Sequence, residues 1–339
     1  MVSSYRVLGA GVWGLAFSDY LSKLGHNVQV FCRDTNLSNK KLTGLDLPNL
    51  SKMEIKSLDT LDNYKSSDAI NIIAVNSKGF DELLGKHASY FHGVRELVSL
   101  TKGIDHETGS FFHEIVRERF GNDVAYGLIS GPSFAKDLSN RKKMSVSFAS
   151  SNNYLSSSIV ESTKSSYFEM IPTTKIYHIE IAGIIKNIAA ILCGMADSFF
   201  DKGKYTNSII KKACDETWKM SFEVLDKKGY TSEDGRNLID HLNDNKEEII
   251  TSPGFIGDMI LTCKQDQSRN HQFGNLIADL DITIEKAKNN IGTVEGYDCC
   301  ITLVEKSPYM QGDLTNLLYE IIKSENMERK KLLKEFLQA

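Results

Sequence analysis

Tyr5-Arg6-Val7-Leu8-Gly9-Ala10-Gly11-Val12-Trp13-Gly14 decides how the first half of the chain folds. Tyr5–Gly9 reads as a short apolar strand. Leu15–Leu24 reads as a helix, with Leu15, Ala16, Tyr20, Leu21 and Leu24 at helical spacing. Between them stands a G-x-G-x-x-G turn. Gly9 permits the tight turn, Gly11 lets the backbone approach a pyrophosphate, and Gly14 allows close packing of helix on strand. The helix N-terminus offers unpaired N–H donors and the positive end of a dipole to an anion. A bare glycine pattern is weak, but with a strand before and a helix after it this one reads as a dinucleotide cradle, the plain alternative being a Gly-rich turn that binds nothing.

Outward from the cradle, Gly25-His26-Asn27 breaks the helix and Val28–Cys32 forms a second strand. An NAD site places a carboxylate at the end of this strand, on the ribose 2′-OH. Here the strand ends in Cys32, followed by Arg33 and Asp34. Arg33 can pair with a 2′-phosphate, which tilts the cofactor toward NADP, while Asp34 remains within reach of a ribose. A solvated surface charge is the plain alternative for Arg33. Ala69–Val75, Leu97–Leu100, Ala125–Ser130 and Met144–Ala149 are further apolar strand candidates separated by helical patterns. That alternation predicts a doubly wound parallel sheet covered on both faces.

Near residue 180 the strand-like runs stop. Ile179–Phe200, Ser208–Lys228, Phe273–Ala287 and Asp313–Ser324 read as long helices. The predicted division is a dinucleotide-binding domain over 1–178 and an all-helical domain over 179–339. Ser150–Ser158 reads as a surface turn and helix start, and the charged tail Glu328–Lys334 as a solvated helix face.

The 339 residues are 41% hydrophobic and 25% charged, enough apolar content for two packed cores. Forty basic residues against 44 acidic ones leave a net charge of −4, which argues against nucleic acid as a partner. The six cysteines show no C-x-x-C spacing, so they read as free thiols of a cytoplasmic protein rather than a zinc or disulfide framework. The N-terminus lacks the pattern of a signal peptide. The most apolar stretch, Ile179–Cys193, is interrupted by Glu180 and Lys186 and falls short of the ~20 residues that span a bilayer.

Several loops and helices carry chemistry. Thr101-Lys102-Gly103-Ile104 and Ser130-Gly131-Pro132-Ser133-Phe134-Ala135 each follow a strand, where ligands of parallel sheets collect. Each also reads as an ordinary turn. Lys186-Asn187 lies inside an otherwise apolar helix. Such a lysine either snorkels outward or faces a cleft as a proton-transfer group favoured by desolvation. Gly257-Asp258 precedes Ser268-Arg269-Asn270, a set suited to a phosphorylated polyol, with Arg269 as the planar donor fork. A capped helix end is the alternative. Glu295, in Thr293-Val294-Glu295-Gly296, reads as a helix-start acid or a cofactor contact. The eight histidines show no H-E-x-x-H spacing and no G-x-S-x-G occurs, so metallohydrolase and serine-hydrolase readings lose ground.

Taken in order, these pieces resemble bacterial-type NAD(P)-dependent glycerol-3-phosphate dehydrogenases, from GAGVWG at 9–14 to the segment 308–319. The resemblance implies a Rossmann domain followed by a helical domain of the 6-phosphogluconate dehydrogenase type. It implies reversible hydride transfer between NAD or NADP and C2 of dihydroxyacetone phosphate or sn-glycerol 3-phosphate, a phospholipid precursor, in a cytoplasmic homodimer. By resemblance Lys186 is the general acid/base. Lys102, Gly131, Ser133, Asp258, Ser268, Arg269 and Asn270 contact substrate. The glycine cradle, Trp13, Arg33, Lys102, Ala135, Arg269, Thr293 and Glu295 contact cofactor. A dehydrogenase of a related hydroxy acid with the same lysine chemistry and a silent dinucleotide sensor are the competing readings; Ser268-Arg269-Asn270 argues for a phosphate-bearing substrate, and the Lys186-Asn187 pair speaks against the sensor. Three departures from the family pattern stand out: Asn76 replaces a proline, Phe255 replaces a glycine, and 203–207 (Gly-Lys-Tyr-Thr-Asn) replaces the usual loop.

Overall fold

Eight strands form one sheet in the order β3-β2-β1-β4-β5-β6-β7-β8. The computed structural model describes residues 2–36, 45–229, 245–279, 281–307 and 309–338; His241 and Pro308 of the sequence reading lie outside them. The strands are β1 (Ser4–Leu8), β2 (Asn27–Cys32), β3 (Glu54–Ser57), β4 (Ile70–Ile73), β5 (Glu96–Ser99), β6 (Ala125–Ser130), β7 (Met144–Ala149) and β8 (Phe168–Thr173). The helices of this half are α1 (Val12–Lys23), α2 (Lys78–Lys86), α3 (Ala88–Phe91), α4 (Phe112–Phe120), α5 (Ala135–Ser139) and α6 (Asn153–Ser162). β1 through β6 are parallel. The strand order reverses between β1 and β4, the switch point where such sheets bind ligands. Val7, Leu15, Phe17, Tyr20, Val30, Ile72, Phe148 and Phe168 belong to one buried cluster.

The sheet departs from the all-parallel expectation at β7, which runs antiparallel to β6. The connection explains this. α5 has five residues, about 7 Å of helix, against about 20 Å for the six residues of β6. With so little helix in the connection the chain turns back, and β7 pairs directly with β6. β3 and β8 escape the sequence reading because both are edge strands. β8 alternates buried and exposed residues and ends at Pro172-Thr173, the mark of an edge.

The described residues divide into two units, 1–105 with 110–176 and 106–109 with 177–339. The second unit is helical: α7 (Ile176–Phe199), α8 (Thr206–Lys227), α9 (Lys246–Thr251), a π turn (Pro253–Gly257), α10 (Asp258–Lys264), α11 (Arg269–Ala278), α12 (Ile284–Ile291), α13 (Glu295–Lys306), α14 (Asp313–Lys323) and α15 (Asn326–Gln338). α7 is apolar on every side and buried from Tyr177 to Ala196, as a central core helix must be. It is long and apolar enough to cross a membrane, but its most apolar window is wholly buried within the protein. α11 crosses it with backbones almost touching at Gly194 and Gly274. Phe273–Ala287 is not the single helix expected. Asp279 accepts from the Asp281 amide at 3.0 Å, and Thr283 then caps α12 through the Lys286 amide at 3.2 Å. The tail is not wholly solvated either. Arg329 is buried and donates to the Ile277 and Ile282 carbonyls at 3.0 and 3.3 Å, so its cation sits at the negative end of α11.

Candidate active site

In the first unit the β1–α1 turn forms the floor of an open cavity of about 690 Å³ that Gly9 and Gly11 line together with Arg33, Asn76, Lys78 and Lys86. Gly9 has φ +118°, and a Cβ there would lie 2.5 Å from the Ala74 carbonyl oxygen, so only glycine fits. A Cβ at Gly14 would lie 2.7 Å from the Gly9 carbonyl oxygen, the close packing expected of it. Gly11 is exposed, with no atom nearer its Cβ position than 3.9 Å. Among the described residues no side chain caps α1, which leaves its first N–H groups for an anion. Cavity size, open glycine and uncapped helix together suit a dinucleotide.

Trp13 does not line the cavity; it is half-buried and stacks on Phe17 at 6.1 Å between centroids. Arg33 is exposed at the cavity wall. The Asp34 carboxylate accepts from the Asn36 amide at 2.9 Å, an Asx turn that occupies one of its oxygens. The departure at Asn76 has a local reason. Its side chain accepts from the Gly79 amide at 2.9 Å and so closes the first turn of α2.

Lys102, Gly131 and Ser133 meet at one atom. The Lys102 ammonium donates to the Gly131 carbonyl at 3.4 Å, and the Ser133 hydroxyl donates to the same oxygen at 3.0 Å. Both side chains are half-buried. Ala135 opens α5 beside them.

In the second unit Lys186 does not snorkel. It is 7% exposed, and its ammonium lies 2.8 Å from Asp258 Oδ1 and donates to Thr262 Oγ1 at 3.2 Å. The carboxylate compensates a charge that burial alone would make costly. Thr262 gives its own proton to the Asp258 carbonyl at 2.7 Å, which fixes its lone pairs as acceptors for the lysine. Asp258 opens α10 directly after the π turn, a local irregularity common beside functional groups. Phe255, which replaces a family glycine, is fully buried within that turn.

The Ser-Arg-Asn motif divides. Ser268 caps α11, accepting from the His271 amide at 3.4 Å. Asn270 is a brace: it donates to Asn187 Oδ1 at 2.9 Å and accepts from the Gly296 amide at 2.9 Å. Asn187 in turn donates to the Gly183 carbonyl at 3.2 Å. Only Arg269 of the three is exposed. Thr293 and Glu295 are half-buried at the start of α13.

Sequence reasoning missed Thr262, although it lies in the Asp258–Cys263 stretch, one helical turn after Asp258. It also missed His271, which donates to Asp197 Oδ2 at 3.1 Å while Gly203 donates to Asp197 Oδ1 at 2.7 Å. The altered 203–207 loop is thereby tied to the first turn of α11.

Models for the N-terminal and C-terminal parts of NAD-dependent glycerol-3-phosphate dehydrogenase match residues 5–156 and 176–334. The NAD(P)+ glycerol-3-phosphate dehydrogenase of Wigglesworthia glossinidia brevipalpis is 29% identical over 305 residues, covering 87% of this chain and 85% of its own. That of Halorhodospira halophila is 25% identical over 330 residues, covering 95% and 93%. The solved glycerol-3-phosphate dehydrogenase of Coxiella burnetii superposes with a TM-score of 0.80 at 22% identity, over 100% of this chain and 99% of that one; it supports the fold. Because both family models match in order and together span most of the sequence, the chain belongs to the NAD-dependent glycerol-3-phosphate dehydrogenase family.

Proposed function

We propose that this chain catalyses the reversible NAD(P)H-dependent reduction of dihydroxyacetone phosphate to sn-glycerol 3-phosphate, with Lys186 as general acid/base. The observation that carries the role is the buried ammonium held by Asp258 at 2.8 Å and Thr262 at 3.2 Å. The reduced nicotinamide, when bound, supplies the hydride that C2 accepts. Lys186 Nζ donates the proton that the C2 oxygen takes up, and the reverse reaction returns it to the lysine. Proton transfer of this kind contributes typically ~10²–10⁴-fold. Asp258 holds and aims the ammonium, and Thr262 fixes a second of its three N–H directions. Arg269 offers a bidentate fork to the substrate phosphate. Ser268 and Asn270 hold the helix turn that presents it, and Lys102 and Ser133 supply donors at the end of the sheet.

NADPH is the favoured cofactor in this reading, since Cys32 supplies no carboxylate and Arg33 stands beside it. The chain acts as a homodimer, testable by light scattering, and its buried free thiols suit a reducing cytoplasm. The deciding assay follows loss of reduced-nicotinamide absorbance from NADPH and from NADH, with and without dihydroxyacetone phosphate. Substrate-dependent oxidation that collapses in Lys186→Ala, while cofactor affinity is retained, supports the proposal. Unchanged turnover in that variant removes the role of Lys186, and no turnover with either cofactor moves the reading to another phosphorylated substrate.

A further inference from the structure

We propose that Lys86 is a second cation for the 2′-phosphate of NADP(H), lining with Arg33 the same dinucleotide cavity. The inference deepens the NADPH reading above and rests on it. Arg33 enters the cavity wall just past the end of β2, and Lys86 enters it from the last turn of α2. Lys78, Gly79, Glu82 and Lys86 recur at helical spacing along the face of α2 that borders this space. The Asp59 carboxylate dominates and holds the Lys86 ammonium above its ordinary pKa, while Arg33 is among the weaker charges acting on it, in the opposite direction. Two like charges bordering one open cavity are a preformed site for a dianion, whose arrival turns mutual repulsion into shared attraction.

The neighbouring acids fit the same reading. Asp34 is engaged by the Asn36 amide at 2.9 Å. His87, also in the wall, is held by Asp62 at 2.7 Å. Asp59 pairs with Lys86 at 2.9 Å, but both side chains are more than half exposed, and exposed pairs of this kind are weak. Asp59 therefore serves as a resting partner from which Lys86 turns to the phosphate. Glu82 is the remaining acid on that face, and its charge also acts on Lys86.

The test is calorimetric titration of the full chain with 2′,5′-ADP and, as control, ADP. The proteins are the wild type, Arg33→Ala, Lys86→Ala, the double variant and Asp59→Ala. Each single cation loss is expected to weaken 2′,5′-ADP by about tenfold, in line with a charge-assisted contact, and to leave ADP within about twofold. Asp59→Ala, which releases Lys86, is expected to tighten 2′,5′-ADP. A tenfold loss in Arg33→Ala with none in Lys86→Ala overturns the proposal and leaves the NADPH reading standing. Equal losses for both ligands in Lys86→Ala reduce the lysine to general charge attraction and also overturn it. A wild type that does not distinguish 2′,5′-ADP from ADP overturns both readings. Circular dichroism melts of the variants separate these outcomes from misfolding.

Discussion

Gly194→Ala sets two measurable effects against each other. In the interior of a helix, alanine is favoured over glycine by about 1 kcal/mol. Gly194, however, lies where α7 meets α11, and a Cβ there would fall 2.1 Å from the His271 carbonyl oxygen. The reciprocal contact, from Gly274 to the Ile191 carbonyl oxygen, would be 2.0 Å. A carbon rests about 3.3 Å or more from a carbonyl oxygen, so the added methyl must part the helices by roughly 1 Å. No flexible side chain can absorb that movement, because both partners are backbone. Ile191, Met195, Phe273 and Ile277 pack around the crossing and are all fully buried. Their contacts loosen together, which places the cost at the upper end of the ~1–3 kcal/mol range for overpacking. Subtracting the helix gain leaves a net loss of about 2 kcal/mol. Urea unfolding followed by circular dichroism reads this directly. Gly85→Ala in α2 is the control, because its nearest foreign atom is the flexible end of Arg119 at 3.4 Å. It is expected to gain up to about 1 kcal/mol. A Gly194→Ala protein as stable as the wild type, or two shifts of the same sign, would refute the reasoning. Turnover should fall with stability, since the crossing holds the helices that carry Lys186 and Asn270.

Three further outcomes follow from particular groups. Glu216 is buried in α8 and accepts from the Leu314 amide at 2.6 Å and from the Thr315 hydroxyl at 2.7 Å, and burial pushes its carboxyl above the usual range. A folded value above the unfolded one means that its favourable contribution is complete below about pH 4.5 and is lost as pH rises through the folded value. The melting temperature of the wild type minus that of Glu216→Gln should therefore shrink from about pH 4 upward; a difference that grows with pH counts against the assignment. All six cysteines are buried and free, and burial pushes the Cys214 thiol up to about 11, so a thiol reagent at about pH 8 should label the native chain slowly and all six after unfolding. Fast stoichiometric labelling of the native protein would contradict that burial. Asn76→Ala removes one of two acceptors of the Gly79 amide, which also donates to the Asn76 carbonyl at 3.0 Å, and should cost the ligand-free protein about 0.5 kcal/mol in a thermal melt, the low end of a cap loss.

How much could be read from the sequence depended on whether a residue's partner was near in the chain. The β1–α1 cradle was legible because its strand, glycines and helix are contiguous, and β6 and β7 were legible in place because each is a continuous apolar run. The direction of β7 was not, since it depends on how far α5 can carry the chain. β8 carries an alternating pattern with a proline, which a search for continuous apolar runs passes over. Arg329 looked like one more charge in a charged tail, and only the C-terminal turn of α11 reveals why it is buried. The apolar neighbours of Lys186 left two outcomes open in the sequence. Burial beside Asp258 rules out the outward, snorkelling outcome, and no local pattern connects the two residues.

The Ser268-Arg269-Asn270 motif shows why motif membership and chemical role must be separated. Three adjacent residues would each lower activity on replacement, but by different routes. Ser268 acts on the end of α11 through the His271 amide. Asn270 acts on the meeting of three helices, because its amide joins Asn187 in α7 to Gly296 in α13. Arg269 alone keeps its charged end toward solvent. Substituting Ser268 or Asn270 should therefore lower stability along with activity, since a buried brace loses both the bond and the satisfaction of its partners. Substituting Arg269 should lower activity while leaving the melting temperature almost unchanged, because no buried group depends on it. Measuring both quantities for all three separates a residue that binds from residues that hold the binder in place. A melting temperature lost in Arg269→Ala, or kept in Asn270→Ala, would reverse that division.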